Sequence, residues 1–220
     1  MSPHPAGIRA AFALLISALV STTPIIAQTS QSAGSRGTYG VLAGVNFANL
    51  GGSDVQDTKT RTGFVGGVYG AWPLGTGIAF QLEALYSMEG AKTNTGSNGA
   101  LKLDYIRIPV LLRVAVPTAS TTRPFLAFGP SFGLQTKCDV SGSSGGTSVS
   151  ASCDEFNRIA GGGFEKKTFD VAGRVEAGLT FDTNGRRFIV GGSYSHGIID
   201  VFKDANVKNR VFSIFLGIGL

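Results

Sequence analysis

The stretch Arg210-Val-Phe-Ser-Ile-Phe-Leu-Gly-Ile-Gly-Leu220 decides the fold. Phe212, Ile214, Leu216, Ile218 and Leu220 are large and apolar, and Val211, Ser213, Phe215, Gly217 and Gly219 between them are mostly small. A period of two puts the large set on one face of a strand and the small set on the other. A soluble domain seldom closes on such a strand without a polar tail, because termini fray into water. A strand that closes a barrel in a membrane meets lipid on one face and a crowded interior on the other. Its free edge must pair with the first strand, since unpaired backbone groups are prohibitive in hydrocarbon. The expected fold is all-β: an eight-stranded antiparallel transmembrane β-barrel, an up-and-down meander.

Working back from that strand, the same period recurs. Strand three is the clearest case: Ile78, Phe80, Leu82, Ala84, Tyr86 and Met88 alternate with Ala79, Gln81, Glu83, Leu85, Ser87 and Glu89. In a membrane this is apolar to lipid and polar to the lumen. Strand one, 39–48, sets Tyr39, Val41, Ala43, Val45 and Phe47 against Gly40, Gly44 and Asn46. Strand two, 63–72, sets Phe64, Val68 and Trp72 against Val65, Tyr69 and Ala71, and leaves its lipid face open. Strand four, 101–116, turns Ile106, Ile108, Val110, Leu112, Val114 and Val116 outward and Tyr105, Arg107, Pro109 and Arg113 inward. Pro109 predicts a bulge there, because it cannot donate to the ladder. Strand five is 124–135 and strand seven 187–196; strand six, 168–181, points Asp170, Arg174, Glu176 and Thr180 inward.

The connections alternate in length. Those at 73–77, 117–123 and 182–185 are short, and the last carries Asn184-Gly185, a hairpin signal that supplies positive φ. Those at 49–60, 90–100, 136–166 and 197–209 are longer, the third being rich in Ser and Gly. Short periplasmic turns and longer outer loops are the habit of an outer-membrane barrel. Each strand has about ten residues or more, enough to cross a bilayer when tilted.

Composition agrees. The chain has 32 glycines, 43% apolar and only 15% charged residues, with a net charge of +5. Low charge with that much apolar material argues for β structure with close backbone contacts rather than a flexible chain. The basic residues are scattered, without interleaved aromatics, so nucleic acid is not an expected partner. At the amino end, His4 and Arg9 precede an apolar run, Ala10 to Val20, and Pro24-Ile-Ile-Ala27 follows. This reads as a secretory signal peptide, 1–27, cleaved after Ala27; the run is too short for a spanning helix of about 20 residues. A polar lead-in, 28–37, and a barrel domain, 38–220, complete the expected organisation. The lipid bilayer of a Gram-negative-type outer membrane is the expected surrounding.

Leu103-Asp-Tyr-Ile-Arg-Ile-Pro-Val-Leu-Leu-Arg113 resembles the YxxIPLLxK stretch of the porin-like outer-membrane β-barrel proteins, the PorT-like small barrels. Pro124-Phe-Leu-Ala-Phe-Gly-Pro-Ser-Phe-Gly133 resembles their PYxxxGPxxG strand, and 39–49 their GxxxGxNxS opening. The resemblance runs over 38–220. It implies outer-membrane location, insertion by the barrel-assembly machinery and usually no assigned activity. Phe212, Ile214, Leu216, Ile218 and Leu220 would then be the C-terminal insertion signal, although the final Leu departs from the commoner Phe or Tyr.

Candidate functional residues fall into few groups. Cys138 and Cys153 are the two cysteines of an exported chain and are expected to form one disulfide. Asp139 and Asp154 lie beside them, but no histidine is near, so neither a metal nor any other cofactor is expected. Glu83, Arg107, Arg113, Arg174 and Glu176, with Gln81, Glu89 and Asp170, gather as lumen charges. Eight strands leave an interior just wide enough for side chains, and buried opposite charges are expected to pair. A salt-bridged plug is one reading, and a narrow polar path for small solutes is the other. Glu83 with Glu176 as a catalytic pair is weighed and set aside, as strand positions do not fix their separation. Ser193 and Ser195 lack a nucleophile elbow, and His196 stands alone, so no enzyme is expected. Tyr39, Trp72, Tyr86, Tyr105 and Tyr194 suit either an interfacial girdle or ordinary strand positions. Function is thus expected to be structural or surface-interacting through the outer loops, with a small porin as the alternative.

Overall fold

The computed structural model describes residues 37–53, 58–93, 99–118, 120–144, 147–159, 167–203 and 206–219. The expected signal peptide with Ala27, the lead-in up to residue 36, and Leu220 lie outside the described residues. Among the described residues there are nine strands and one short helix: β1 Thr38–Gly51, β2 Thr58–Gly75, β3 Ile78–Thr93, β4 Ala100–Ala115, β5 Thr122–Ser144, β6 Thr147–Ser152, α1 Cys153–Ile159, β7 Phe169–Thr183, β8 Arg186–Gly197 and β9 Lys208–Gly219. Eight of the strands, all but β6, pair antiparallel in meander order, and β9 pairs with β1 from Gly40↔Gly219 to Gly51↔Lys208 to close the barrel.

The register fixes the shape. From Tyr39 the path round the wall runs through Gly70, Leu82, Val110, Pro130, Gly173, His196 and Arg210 back to β1 at Asn49, a stagger of ten residues. With ordinary rise and strand spacing, that stagger over eight strands tilts them by about 40° and gives a backbone cylinder about 16 Å across. Such a cylinder holds one layer of side chains from each wall.

Alternation sorts the two faces. Val41, Val45, Phe64, Val68, Phe80, Ile106, Phe128, Val175, Ile214 and Leu216 are exposed on the outside. β2, whose lipid face was open in the sequence, turns Phe64 and Val68 out and Val65, Tyr69 and Ala71 in. Near the short-turn end Trp72 donates to the Tyr39 hydroxyl at 2.9 Å and packs on Phe80. Tyr105 is no girdle residue: it is buried in the lumen, where it accepts from Asn209. Phe215, the one large residue on the inner face of the closing strand, is accommodated by glycine. A Cβ on Gly44 would stand 2.2 Å from the Ile214 carbonyl and 2.9 Å from Phe215 Cβ.

Two sequence expectations are corrected. Pro109 makes no bulge, for the β3–β4 pairing skips Ile108 and Pro109 but resumes in the same register. The irregularity of β4 lies instead between Asp104 and Tyr105, where β5 carries the extra residue Thr136. The connection expected at 136–166 is not simply a loop. β5 runs on to Ser144 and pairs with β6 from Asp139↔Ser152 to Ser144↔Thr147, and α1 follows. Ser152 caps α1 by accepting from the Glu155 amide at 3.2 Å. β2 also starts at Thr58 rather than 63, because polar residues can continue a strand into water beyond the apolar band. The tight turns are as expected: Thr183 pairs with Arg186 across Asn184 and Gly185, whose φ values are 50° and 74°.

Candidate functional site: the filled lumen

Inward positions on β3 read, from the short-turn end outward, Gln81, Glu83, Leu85, Ser87, Glu89 and Ala91, all buried. They meet inward residues of the other strands in alternating polar and apolar layers. Toward the outer end, Arg107 of β4 forks onto Glu89, with Nε to Oε1 and Nη2 to Oε2 both at 2.6 Å. The same Nη2 bonds Asp170 Oδ2 of β7 at 2.6 Å, and the guanidinium lies 4.7 Å from the Tyr105 ring centre. Ser87 donates to Glu89 at 2.8 Å, Asn46 to Ser87 at 2.9 Å, and Ser213 to Asn46 at 2.7 Å. A chain of side-chain hydrogen bonds therefore crosses the lumen from β9 through β1, β3 and β4 to β7. Arg61 adds a bond to the Glu89 carbonyl.

Nearer the short turns a second network forms. Arg174 of β7 bonds Glu176 through Nε at 2.7 Å, approaches Glu83 at 3.8 Å and donates to Ser195 at 3.3 Å. Gln81 bridges the two glutamates, at 2.6 Å to Glu83 and 3.2 Å to Glu176. Arg113 donates to Gln81 at 2.9 Å and lies 3.7 Å over the Phe125 ring. Between and above these networks are apolar plugs. One joins Leu42, Val65, Leu85, Leu111, Ile189 and Phe215; the other joins Leu50, Leu103, Cys138, Val201 and Val207 at the outer end. Charged groups surrounded this way hold one another, since an unpaired charge there costs far more than a paired one.

The remaining sequence candidates are placed as follows. Cys138 of β5 and the first residue of α1, Cys153, are disulfide-bonded with Cα atoms 5.4 Å apart. Phe212, Ile214 and Leu216 face outward on β9, and Ile218 is half-buried. His196 faces outward and contacts the Tyr194 hydroxyl at 3.3 Å, whereas Ser193 and Ser195 are buried on the other face. Glu83 and Glu176 do meet, but through Gln81 and Arg174. The sequence reading missed Asn46, Arg61, Ser213 and Asn209. Asn46 was visible as a polar residue on the inner face of strand one; what it bonds was not.

A closed eight-stranded meander with an apolar belt and a charged, plugged interior defines a small outer-membrane barrel. The chain belongs to the family of the outer membrane protein beta-barrel domain, whose model matches residues 26–203. It is thus a protein embedded in the lipid bilayer of a Gram-negative-type outer membrane. The match does not single out the PorT-like group whose motifs the sequence resembles. No curated protein matches the chain. Similar solved structures include neisserial surface protein A, at 16% identity, covering 83% of this chain and 96% of that one with a TM-score of 0.46. They also include Ail, the attachment invasion locus protein of Yersinia pestis, at 15% identity, 84% and 99% coverage and 0.44. OprG from Pseudomonas aeruginosa follows at 12% identity, 84% and 96% coverage and 0.47.

Proposed function

We propose that the protein is a filled barrel that anchors a surface-interacting arm, and that its work is done outside the lumen. The observation that carries this is the hydrogen-bonded chain Ser213–Asn46–Ser87–Glu89–Arg107–Asp170, which spans the interior. Above it, the arm formed by the end of β5, β6 and α1 is held by the Cys138–Cys153 disulfide and exposes Val149, Phe156 and Ile159. Exposed apolar side chains on a stapled hairpin suit contact with a partner better than solvation alone.

Residues 1–27 would be removed on export, and the alternating face of β9, with Phe212, Ile214, Leu216, Ile218 and Leu220, would serve the barrel-assembly machinery as its recognition strand. A non-catalytic role fits Ser195 and His196 lying on opposite faces and both glutamates being engaged by Arg174 and Gln81. A small porin is the second reading. It is favoured by Arg107 Nη1, Asp170 Oδ1 and Glu83 Oε2, buried lumen atoms without a hydrogen-bond partner among the described residues, which a rearranged network could offer to solutes.

The test is single-channel conductance of refolded protein in planar bilayers, with Arg174→Ala and Glu83→Ala alongside. Silence from all three supports the filled barrel. Steady wild-type conductance altered by either substitution would transfer the function to the lumen.

A further inference from the structure

The short-turn mouth of the barrel holds a cavity of about 320 Å³ that neither the anchoring role nor conduction uses. Its lining includes Arg113, Arg123, Arg187, Tyr69 and Thr38. We propose that this mouth is a binding site for a phosphate-bearing anion, presented from the periplasmic side.

Charge is the first argument. Three guanidinium groups line the cavity, and the carboxylate beside them is Asp182, which Arg187 holds by a fork of 2.7 and 3.0 Å. Arg123 stands 3.9 Å from the same carboxylate, so one negative charge faces three positive ones. Glu83 and Glu176 lie deeper and are engaged by Arg174 and Gln81.

Unsatisfied groups are the second. Arg113 is only 8% exposed. Among the described residues it has one hydrogen bond, to Gln81, and no carboxylate within salt-bridge distance. A buried arginine left so is costly, and an anion in the cavity would relieve it. Tyr69 is 4% exposed, and its hydroxyl, buried at the same cavity, has no hydrogen-bond partner among the described residues. Buried hydroxyls are nearly always bonded, so this one marks a place for an acceptor.

Geometry selects the class of anion. Guanidinium forks match the oxygens of carboxylate and phosphate alike. The guanidiniums of Arg113 and Arg123 with the phenol, however, offer more donors than a two-oxygen carboxylate can take, and the three free oxygens of a phosphate ester match them; Arg187, turned to Asp182 and Thr38, adds its charge. The cavity exceeds the share of a bare phosphate, being on the order of ten water volumes. Its rim adds Pro73, Ile78 and Ala115, an apolar seat for the body of an ester. That monoester is either a soluble metabolite-sized phosphate or the headgroup of phosphatidic acid in the inner leaflet, since an ordinary phospholipid diester leaves only two free oxygens.

The experiment is calorimetric titration of the full mature protein, refolded in nonionic micelles without phosphate, using inorganic phosphate and, separately, dihexanoyl phosphatidic acid. Saturable binding of either is expected; binding of the lipid alone identifies the headgroup source, and binding of both the soluble one. Arg113→Gln should weaken it about tenfold to a hundredfold, as loss of a charge-assisted bond does. Tyr69→Phe should weaken it about twofold to tenfold. Arg186→Gln, exposed on the same turn but off the cavity lining, should bind as wild type. Gel mobility before and after boiling checks folding, and if Arg113→Gln does not fold, Arg187→Gln at the rim takes its place. No saturable binding of either probe, or equal weakening in Arg186→Gln, overturns the proposal.

Discussion

Arg107 and Arg113 stand six residues apart on the inner face of β4, yet they live in opposite circumstances. Arg107, 2% exposed, is clasped by Glu89 and Asp170, each at 2.6 Å, and by the face of Tyr105. Arg113, 8% exposed, has an amide oxygen and the Phe125 ring. The carboxylates of the outer half therefore touch their cation directly, while in the short-turn half Arg113 reaches Glu83 and Glu176 only through Gln81 and stands at the mouth without a carboxylate of its own. The difference teaches where stability and where binding reside in this barrel. Paired charges buried between apolar plugs specify how the wall's strands register; an unpaired one beside a cavity is available to something else.

The largest effect that tests this contrast is on stability. Arg107→Ala leaves Glu89 and Asp170 buried without their cation, and removal of one partner of such a set costs about 3–5 kcal/mol. Arg113→Ala forfeits one hydrogen bond and a cation–π contact, about 1–2 kcal/mol. Guanidinium unfolding of both variants in micelles, followed by tryptophan emission from Trp72, measures the difference. Equal losses would mean that Arg113 has a carboxylate partner in solution and that the two halves do not differ.

A smaller effect sharpens the reason. Replacing the whole set, Arg107→Met with Glu89→Met and Asp170→Leu, removes the charges together with their desolvation. Such swaps are neutral or better when packing is kept, so the triple variant should recover most of what Arg107→Ala loses. If it unfolds as easily as the single variant, the ion set holds the strands by more than mutual neutralisation, and Ser87 and Asn46 become the next residues to change.

The sequence showed how each of these residues faces but not whom it meets. Alternation is local, so Glu89, Arg107, Asp170, Arg174 and Glu176 could be turned inward from the chain alone, and Asn184-Gly185 named its own turn. Partners depend on the ten-residue stagger, which no single strand records. Arg107 finds Glu89 on the neighbouring β3 but Asp170 two strands away on β7. The arm was hidden for another reason. Its Ser and Gly read as loop by composition, although Ser152-Cys-Asp-Glu155 has the capping-box pattern of a helix start and Gly145-Gly146 is a two-residue hairpin signal. Proline misled through its chemistry: Pro109 lacks a donor, but losing one ladder bond in a long, well-registered strand shifted nothing.

The smallest predicted effect compares two tyrosines, one in each half. Tyr105 accepts from Asn209 at 3.2 Å and Gln135 at 3.5 Å, so Tyr105→Phe strands the Asn209 amide and should cost about 0.5–1.5 kcal/mol. The Tyr69 hydroxyl has no partner among the described residues, and Tyr69→Phe without phosphate should leave stability unchanged or raise it by up to about 1 kcal/mol. The sign should turn when phosphate or short-chain phosphatidic acid is present at saturation, because a ligand that binds only the folded barrel stabilises it in proportion to its affinity. Wild type would then gain more than Tyr69→Phe, and Tyr105→Phe would gain as much as wild type. A Tyr69→Phe barrel that loses stability without any anion would instead place a hydrogen-bond partner for Tyr69 inside the protein, and the two halves of the lumen would be alike after all.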